Sequence, residues 1–206
     1  MIKIGIGGMA GAGKSTLRDI FKNDGAFAVD LDEVGHSFYS DTFGRVYKSV
    51  LAEFGDKVNG LLTGAGAIDR KKLGGYVFND RVALDKLNSI FYDEFNVYVK
   101  NLINETAGCA REFFVLDAAV LFDSGLDALM DYNIWVRADE SVLIQRLAAR
   151  SGAGADYAES IVKIQLKAYK GYSARADFII DNGGGPKALE MEYNRVIKEI
   201  RCNVKD

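Results

Sequence analysis

Apolar residues fall along the chain in two kinds of segment, short and largely apolar runs and longer stretches in which they recur every three or four positions. The runs occupy residues 2–6, 26–29, 113–117, 132–136 and 178–181. Each is closed by glycine, an acid or turn residues, the pattern of a short buried strand. Between them the helical spacing takes over. Leu17, Ile20 and Phe21 open one helix, which stops near Asn23-Asp24-Gly25. Residues 33–54 read as mixed helix with Gly55 as the stop, residues 60–67 as a glycine-bearing loop, and Ile68 onward as helix again. Leu84, Leu87, Phe91, Phe95, Tyr98 and Leu102 predict one long amphipathic helix. Asp139-Glu140-Ser141 caps a further helix, another runs from about Tyr157, and Leu189, Tyr193, Val196, Ile197 and Ile200 predict a closing helix over 187–201.

Apolar strands alternating with helices predict an α/β fold, a five-stranded parallel sheet flanked by helices. The stretch between the second and third strands is too long for a simple crossover. It is expected to form a helical insertion for a second substrate.

Composition narrows the classes. A chain of 206 residues suits one domain with an insertion. It is 49% hydrophobic, yet no apolar run approaches the roughly 20 residues that cross a bilayer. The N-terminal residues enter a strand without signal-peptide architecture, so a cytoplasmic protein without membrane partners is expected. A net charge of −3 gives no bulk electrostatic case for nucleic acid. Cys109 and Cys202 lack metal-type spacing and read as reduced, structural thiols. His36 is the sole histidine, which removes most catalytic triads and leaves base chemistry to carboxylates.

The first strand runs directly into Gly8-Met9-Ala10-Gly11-Ala12-Gly13-Lys14-Ser15-Thr16, which reads G-x-x-x-x-G-K-S and is followed by a helix. Strand, glycine loop and helix in that order define a phosphate cradle. Glycines let successive N–H groups turn toward one anion, and the new helix adds its positive end. Lys14 suits the β- and γ-phosphates of a nucleotide, and the Ser15 hydroxyl suits Mg²⁺. A rival dinucleotide fingerprint, Gly5-x-Gly7-x-x-Ala10 with Asp30 as the ribose acid, leaves Gly13-Lys14-Ser15 idle and starts inside the strand. The fold expectation is therefore a P-loop NTPase fold.

Acids stand at two other strand ends. Asp30 and Asp32 close the second run and are read as chemistry or as helix caps. Asp117 closes the third and reads as the carboxylate that supports Mg²⁺. Arg70, Lys71 and Lys72 are either a phosphate site or a solvated cluster. Lys163, Lys167 and Lys170 form a basic stripe beyond Ser151-Gly152-Ala153-Gly154, either a solvated face or part of a glycine-hinged lid.

Several of these motifs occur together in a known order. They are Gly8 to Thr16, Val29-Asp30-Leu31-Asp32, Ile68 to Leu73 with Val77-Phe78, Leu87-Asn88, Val120-Leu121-Phe122-Asp123, Arg146 and Arg150, Gln165, Arg175-Ala176-Asp177 and Ile180-Asp181-Asn182. The whole resembles the dephospho-coenzyme A kinase family over nearly the full chain. The resemblance implies transfer of the ATP γ-phosphoryl group to the ribose 3′-hydroxyl of dephospho-CoA, with ATP and Mg²⁺ required, in a monomer or weak homo-oligomer. It implies catalytic roles for Lys14, Asp32, Arg146 and Arg150, and ATP binding by Gly8, Gly11, Ala12, Gly13, Lys14, Ser15 and Thr16. It further implies acceptor contacts from Asp30, His36 and Arg70, and metal support from Ser15 and Asp117. On this basis the core is expected at about 1–32, 111–140 and 176–206, the acceptor subdomain at about 33–110 and the lid at about 141–175. The chain departs from the family pattern at Tyr92-Asp93, where the family has His-Pro, and at Ala119, Asp123 and Leu166-Lys167. A kinase for another small alcohol, or a non-catalytic ATP-binding switch, are the alternatives.

Overall fold

The computed structural model describes residues 1–151 and 154–203, so Gly152 and Ala153 of the expected hinge lie outside the described residues. Among the described residues there are five strands: β1 (Ile2–Gly8), β2 (Phe27–Asp30), β3 (Phe113–Asp117), β4 (Tyr132–Arg137) and β5 (Phe178–Asp181). They form one sheet in the order β2-β3-β1-β4-β5, every pair parallel. β1 lies in the middle, and the chain leaves it first toward one edge and later toward the other. Its carboxyl end therefore opens at a switch point, where open α/β sheets bind ligands.

Contacts divide the chain into two units, Met1–Asp30 with Cys109–Asp206, and Leu31–Gly108. In the first, α1 (Lys14–Asn23) and α8 (Pro186–Asn203) cover one sheet face. Leu17 and Phe21 are the buried residues of α1, and Phe21 meets Phe113 and Tyr193 edge-on. Burying such a ring is worth about 1.5–3 kcal/mol, and edge-on aromatic pairs add about 0.5–1.5 kcal/mol. Gly5 and Gly7 of β1 face the other way, toward Leu121, Phe122 and Trp135. On that side Phe122, Trp135, Tyr169 and Tyr172 pack together. α6 (Glu140–Ser151) and α7 (Ala155–Ala168) pack against each other.

The second unit holds α2 (Leu31–Phe38), α3 (Arg45–Phe54), α4 (Arg70–Val77) and α5 (Arg81–Thr106). Asp69 and Asp80 cap α4 and α5, each carboxylate accepting from two first-turn N–H groups. The buried stripe of α5 runs through Ala83, Leu87, Phe91, Phe95 and Val99. Leu84, Tyr98 and Leu102, assigned to that stripe by spacing, are only half-buried at its margin. Phe38 and Tyr39 complete the aromatic core on Phe91 and Phe95.

Candidate functional site

The loop after β1 gives its backbone a shape that ordinary residues resist. Gly13 sits at φ +100° as the N-cap of α1, and no side chain caps the helix there. A Cβ at Gly13 would meet Asn182 Nδ2 at 2.1 Å, and one at Gly8 would meet the Val136 carbonyl oxygen at 2.5 Å. The first-turn N–H groups of α1 are thus left for an external acceptor, at the positive end of the helix. Lys14 is half-buried at that turn, while Ser15 and Thr16 are exposed.

Side chains from distant parts of the chain hold the loop in place. Asn182 Nδ2 donates to the Ala12 carbonyl at 2.8 Å. Gln165 Oε1 accepts from the Ala10 N–H at 2.9 Å. Arg146 Nη1 donates to the Gly11 carbonyl at 3.4 Å, and Ala12 N–H closes a turn on Met9. Arg150, one turn beyond Arg146 on α6, is exposed. Gln165 and Asn182 were visible only as motif letters. Their buttressing of the loop depends on long-range contacts that spacing does not report.

The acids at the sheet edge are bound by a residue that the sequence did not single out. Asp30 and Asp117 are register partners on β2 and β3, so their side chains share a face. Asp117 is buried, only 5% exposed. Arg18, one turn after Lys14, donates through Nη1 to Asp30 Oδ2 and lies 3.7 Å from Asp117 Oδ2. The available signal was a cation four residues from Lys14 on a helix facing strand ends that carry acids. Asp32 is exposed in the first turn of α2, in the helical unit.

Within the helical unit, Arg70 Nη2 stands 2.9 Å from His36 Nε2, and its guanidinium carbon lies 5.8 Å from the centre of the Tyr39 ring. Burial pushes the Tyr39 hydroxyl pKa up. Arg70 and Tyr39 border a pocket of about 810 Å³, lined also by Ile68, Lys71 and Leu73 and by Phe78, which is 77% exposed. The cluster at 70–72 divides: Arg70 and Lys71 line the pocket, and Lys72 Nζ is tied to the Gly60 carbonyl at 2.8 Å. The basic stripe on α7 does not persist as expected. Lys163 pairs with Glu159 at 2.5 Å, and Lys170 lies past the helix end in a turn, because α7 stops at Ala168.

Other motif residues prove to be scaffold. Tyr172 O–H donates to Asp123, and burial together with that bond pushes its pKa up to about 12. Arg175 lies 4.7 Å from the Phe122 ring centre and 2.6 Å from Asp127 Oδ2, and Asp177 accepts from the Asn133 N–H at 2.7 Å.

The sequence profile of the dephospho-CoA kinase family matches residues 2–187. The chain belongs to the dephospho-CoA kinase family. A dephospho-CoA kinase of Aquifex aeolicus is 34% identical over 204 residues, covering 97% of this chain and 98% of that one. Among solved structures, a Thermus thermophilus protein superposes with a TM-score of 0.75 at 23% identity, covering 100% of this chain and 98% of its own. A dephospho-CoA kinase from Campylobacter jejuni gives 0.68 at 21% identity, with 96% of each chain covered. Dephospho-CoA kinases are ATP-dependent enzymes that phosphorylate a small-molecule alcohol. Against the dephospho-CoA kinase pattern, Tyr92-Asp93 replaces His-Pro in the interior of α5, which runs unbroken from Arg81 to Thr106. A proline there would remove a helical N–H donor.

Proposed function

We propose that this chain is a dephospho-CoA kinase that works by in-line transfer of the ATP γ-phosphoryl group to the ribose 3′-hydroxyl. The observation that carries the reading is the glycine loop at Gly8–Thr16. It delivers an uncapped helix start and Lys14 at the switch point of a chain that matches the family from residue 2 to 187. In the reaction the acceptor oxygen bonds to Pγ as the β–γ bridging oxygen departs with ADP. The hydroxyl proton passes to the Asp32 carboxylate. Because the transition state is loose, that proton moves late, and orienting the hydroxyl is the larger part of the role of Asp32.

Loop N–H groups from Gly8, Gly11, Ala12, Gly13, Lys14, Ser15 and Thr16 would cradle the phosphates. Lys14 would balance charge on the β- and γ-groups. Arg146 already reaches the loop backbone, and with Arg150 it would meet charge on the transferred group. Residues 141–175 are the proposed lid. The exposed Ser15 hydroxyl and the Asp117 carboxylate are hard oxygen donors of the kind Mg²⁺ takes, so they fit the ion that this family implies. When bound with nucleotide, Mg²⁺ supplies charge neutralisation.

The pocket bordered by Arg70 and Tyr39 supports acceptor binding by the helical unit, with Arg70 and His36 presented to acceptor phosphate; Asp30, at the end of β2, is assigned as a further acceptor contact. Both described cysteines are free and exposed, and no described helix is long and apolar enough to cross a membrane. The free cysteines fit a reducing, cytoplasmic setting, and the reading takes small molecules as partners of a monomer or weak homo-oligomer.

The test is ADP release with Mg-ATP and a panel of acceptors. Release that depends on dephospho-CoA, with a 3′-phosphate on the product, is expected. Equal turnover of another alcohol would move the assignment to that acceptor, and no acceptor-dependent release would end it. Asp32→Asn is predicted to lower kcat by about 10²–10⁴-fold while ATP affinity stays nearly constant. Wild-type turnover in that variant would remove Asp32 from the mechanism.

A further inference from the structure

The acids at the tips of β2 and β3 present a problem that the phosphate loop alone does not solve. Asp30 and Asp117 are opposite one another in register and on one face, so two carboxylates stand side by side, one of them buried. Adjacent like charges in a poorly solvated place repel, or they attract a cation. Here the cation is built in. Arg18 sits four residues after Lys14 on α1, on the same helix face, and its side chain is only 16% exposed. One guanidinium nitrogen, Nη1, serves Asp30 and Asp117 together. The remaining fork, Nε and Nη2, is held by the exposed Asp19 at 3.2 and 3.1 Å, which fixes its plane. An ammonium on a flexible stem cannot satisfy three carboxylates with one rigid plane.

We infer that Arg18 is a positioning residue, the built-in counter-cation of Asp30 and Asp117, and that it keeps this acid pair from collecting a divalent ion before nucleotide arrives. The inference rests on the kinase reading for its consequence in turnover. It does not rest on that reading for its consequence in metal binding. Among the described residues no group of three or more His, Cys, Asp or Glu side chains is placed to hold a metal. With Arg18 offsetting the pair, the protein offers too little negative charge to hold Mg²⁺ alone, and the triphosphate must bring the missing ligands. Arg18 would thereby couple metal entry to ATP entry while keeping the Asp117 carboxylate aimed.

The experiment titrates Mn²⁺ into the nucleotide-free protein, following the free ion by electron paramagnetic resonance. Wild type is expected to bind weakly. Arg18→Ala should bind at least about tenfold more tightly, because two neighbouring carboxylates lose their counter-cation. Adding Asp30→Asn to Arg18→Ala should restore weak binding, and Arg18→Lys, which keeps the charge without the fork, should bind Mn²⁺ less tightly than Arg18→Ala. Arg18→Gln, which keeps most of the side-chain volume, is carried in parallel, so that poor folding of the alanine variant leaves the test intact. In steady state, Arg18→Ala should lower kcat by about 10–100-fold with the KM for ATP within about twofold, and Arg18→Lys should regain part of kcat.

Mn²⁺ binding no tighter in Arg18→Ala and Arg18→Gln than in wild type would overturn the inference. So would tightening that survives Asp30→Asn. If Mn²⁺ binding tightens while the wild type ignores dephospho-CoA, Arg18 keeps its role and the acceptor assignment falls. Active wild type with unchanged Mn²⁺ binding in the variants gives the reverse.

Discussion

Gly13 carries the tightest residue-level constraint in the phosphate loop. Its φ of +100° lies where an L side chain is strained, and the space a Cβ needs is taken by the Asn182 amide. Gly13→Ala is predicted to destabilise the protein by about 1–3 kcal/mol through backbone strain, and to weaken ATP binding by displacing Asn182 from the Ala12 carbonyl. Urea unfolding and nucleotide titration would check both, and a stable variant with normal ATP affinity would show that the loop tolerates a different shape. At this scale the sequence was informative about the loop itself, because glycine spacing encodes backbone conformation directly. It was silent about Arg18, Gln165 and Asn182 as supports, because each acts on residues brought near only by the folded sheet. The contact between His36 and Arg70, 34 residues apart, is likewise something spacing does not report.

At the scale of elements, every strand was legible, since β1 to β5 are largely apolar runs; the sheet buries central β3 throughout and leaves the edge strands β2 and β5 half-buried. Helix ends were less so. α7 stops at Ala168, two residues before Lys170, because Tyr169 and the left-handed Gly171 turn the chain into the aromatic cluster on Trp135. The stripe on α5 was displaced at its ends, where spacing alone does not separate a fully buried row from its margin. The C-terminal helix α8 gives a pH-dependent case. Its Arg201 donates to both oxygens of Glu112 at 2.8 and 2.7 Å, which holds the Glu112 carboxyl below its usual pKa. A depressed carboxyl pKa contributes stability above the ordinary glutamate range, and that contribution disappears as pH falls through the folded value. Both side chains are about half-exposed, 49% and 48%, so solvent screens the pair. Glu112→Gln is predicted to cost no more than about 0.5 kcal/mol at neutral pH and less near pH 3. Urea midpoints at the two values test this; an equal cost at both would assign the effect to packing.

For the molecule as a whole, the division into a sheet-based unit and a helical unit follows from one long insertion between β2 and β3, which segment length had indicated. Length could not say how the pocket beside Arg70 is lined, because Tyr39, Ile68 and Phe78 come together through tertiary packing. Ligand linkage operates at this scale. A ligand at 100 times its Kd stabilises the form that binds it by about 2.7 kcal/mol. For a chain of this size that predicts a rise in Tm of roughly 5–10 °C with saturating Mg-ATP. Lys14→Ala should lose most of the rise. Thermal melts with and without nucleotide measure it, and an unchanged rise in Lys14→Ala would detach the lysine from the phosphates.

The amide of Asn182 closing on the Ala12 carbonyl spans 170 residues of chain, and this has a consequence for biosynthesis. A chain emerging from the ribosome exposes its glycine loop 170 residues before Asn182, so that prop is added only after β5 has joined the sheet. Nascent chains stalled before Asn182 emerges should fail to retain a fluorescent ATP analogue, and chains released after α8 has folded should retain it. Nucleotide capture would then report that Asn182 has reached the loop.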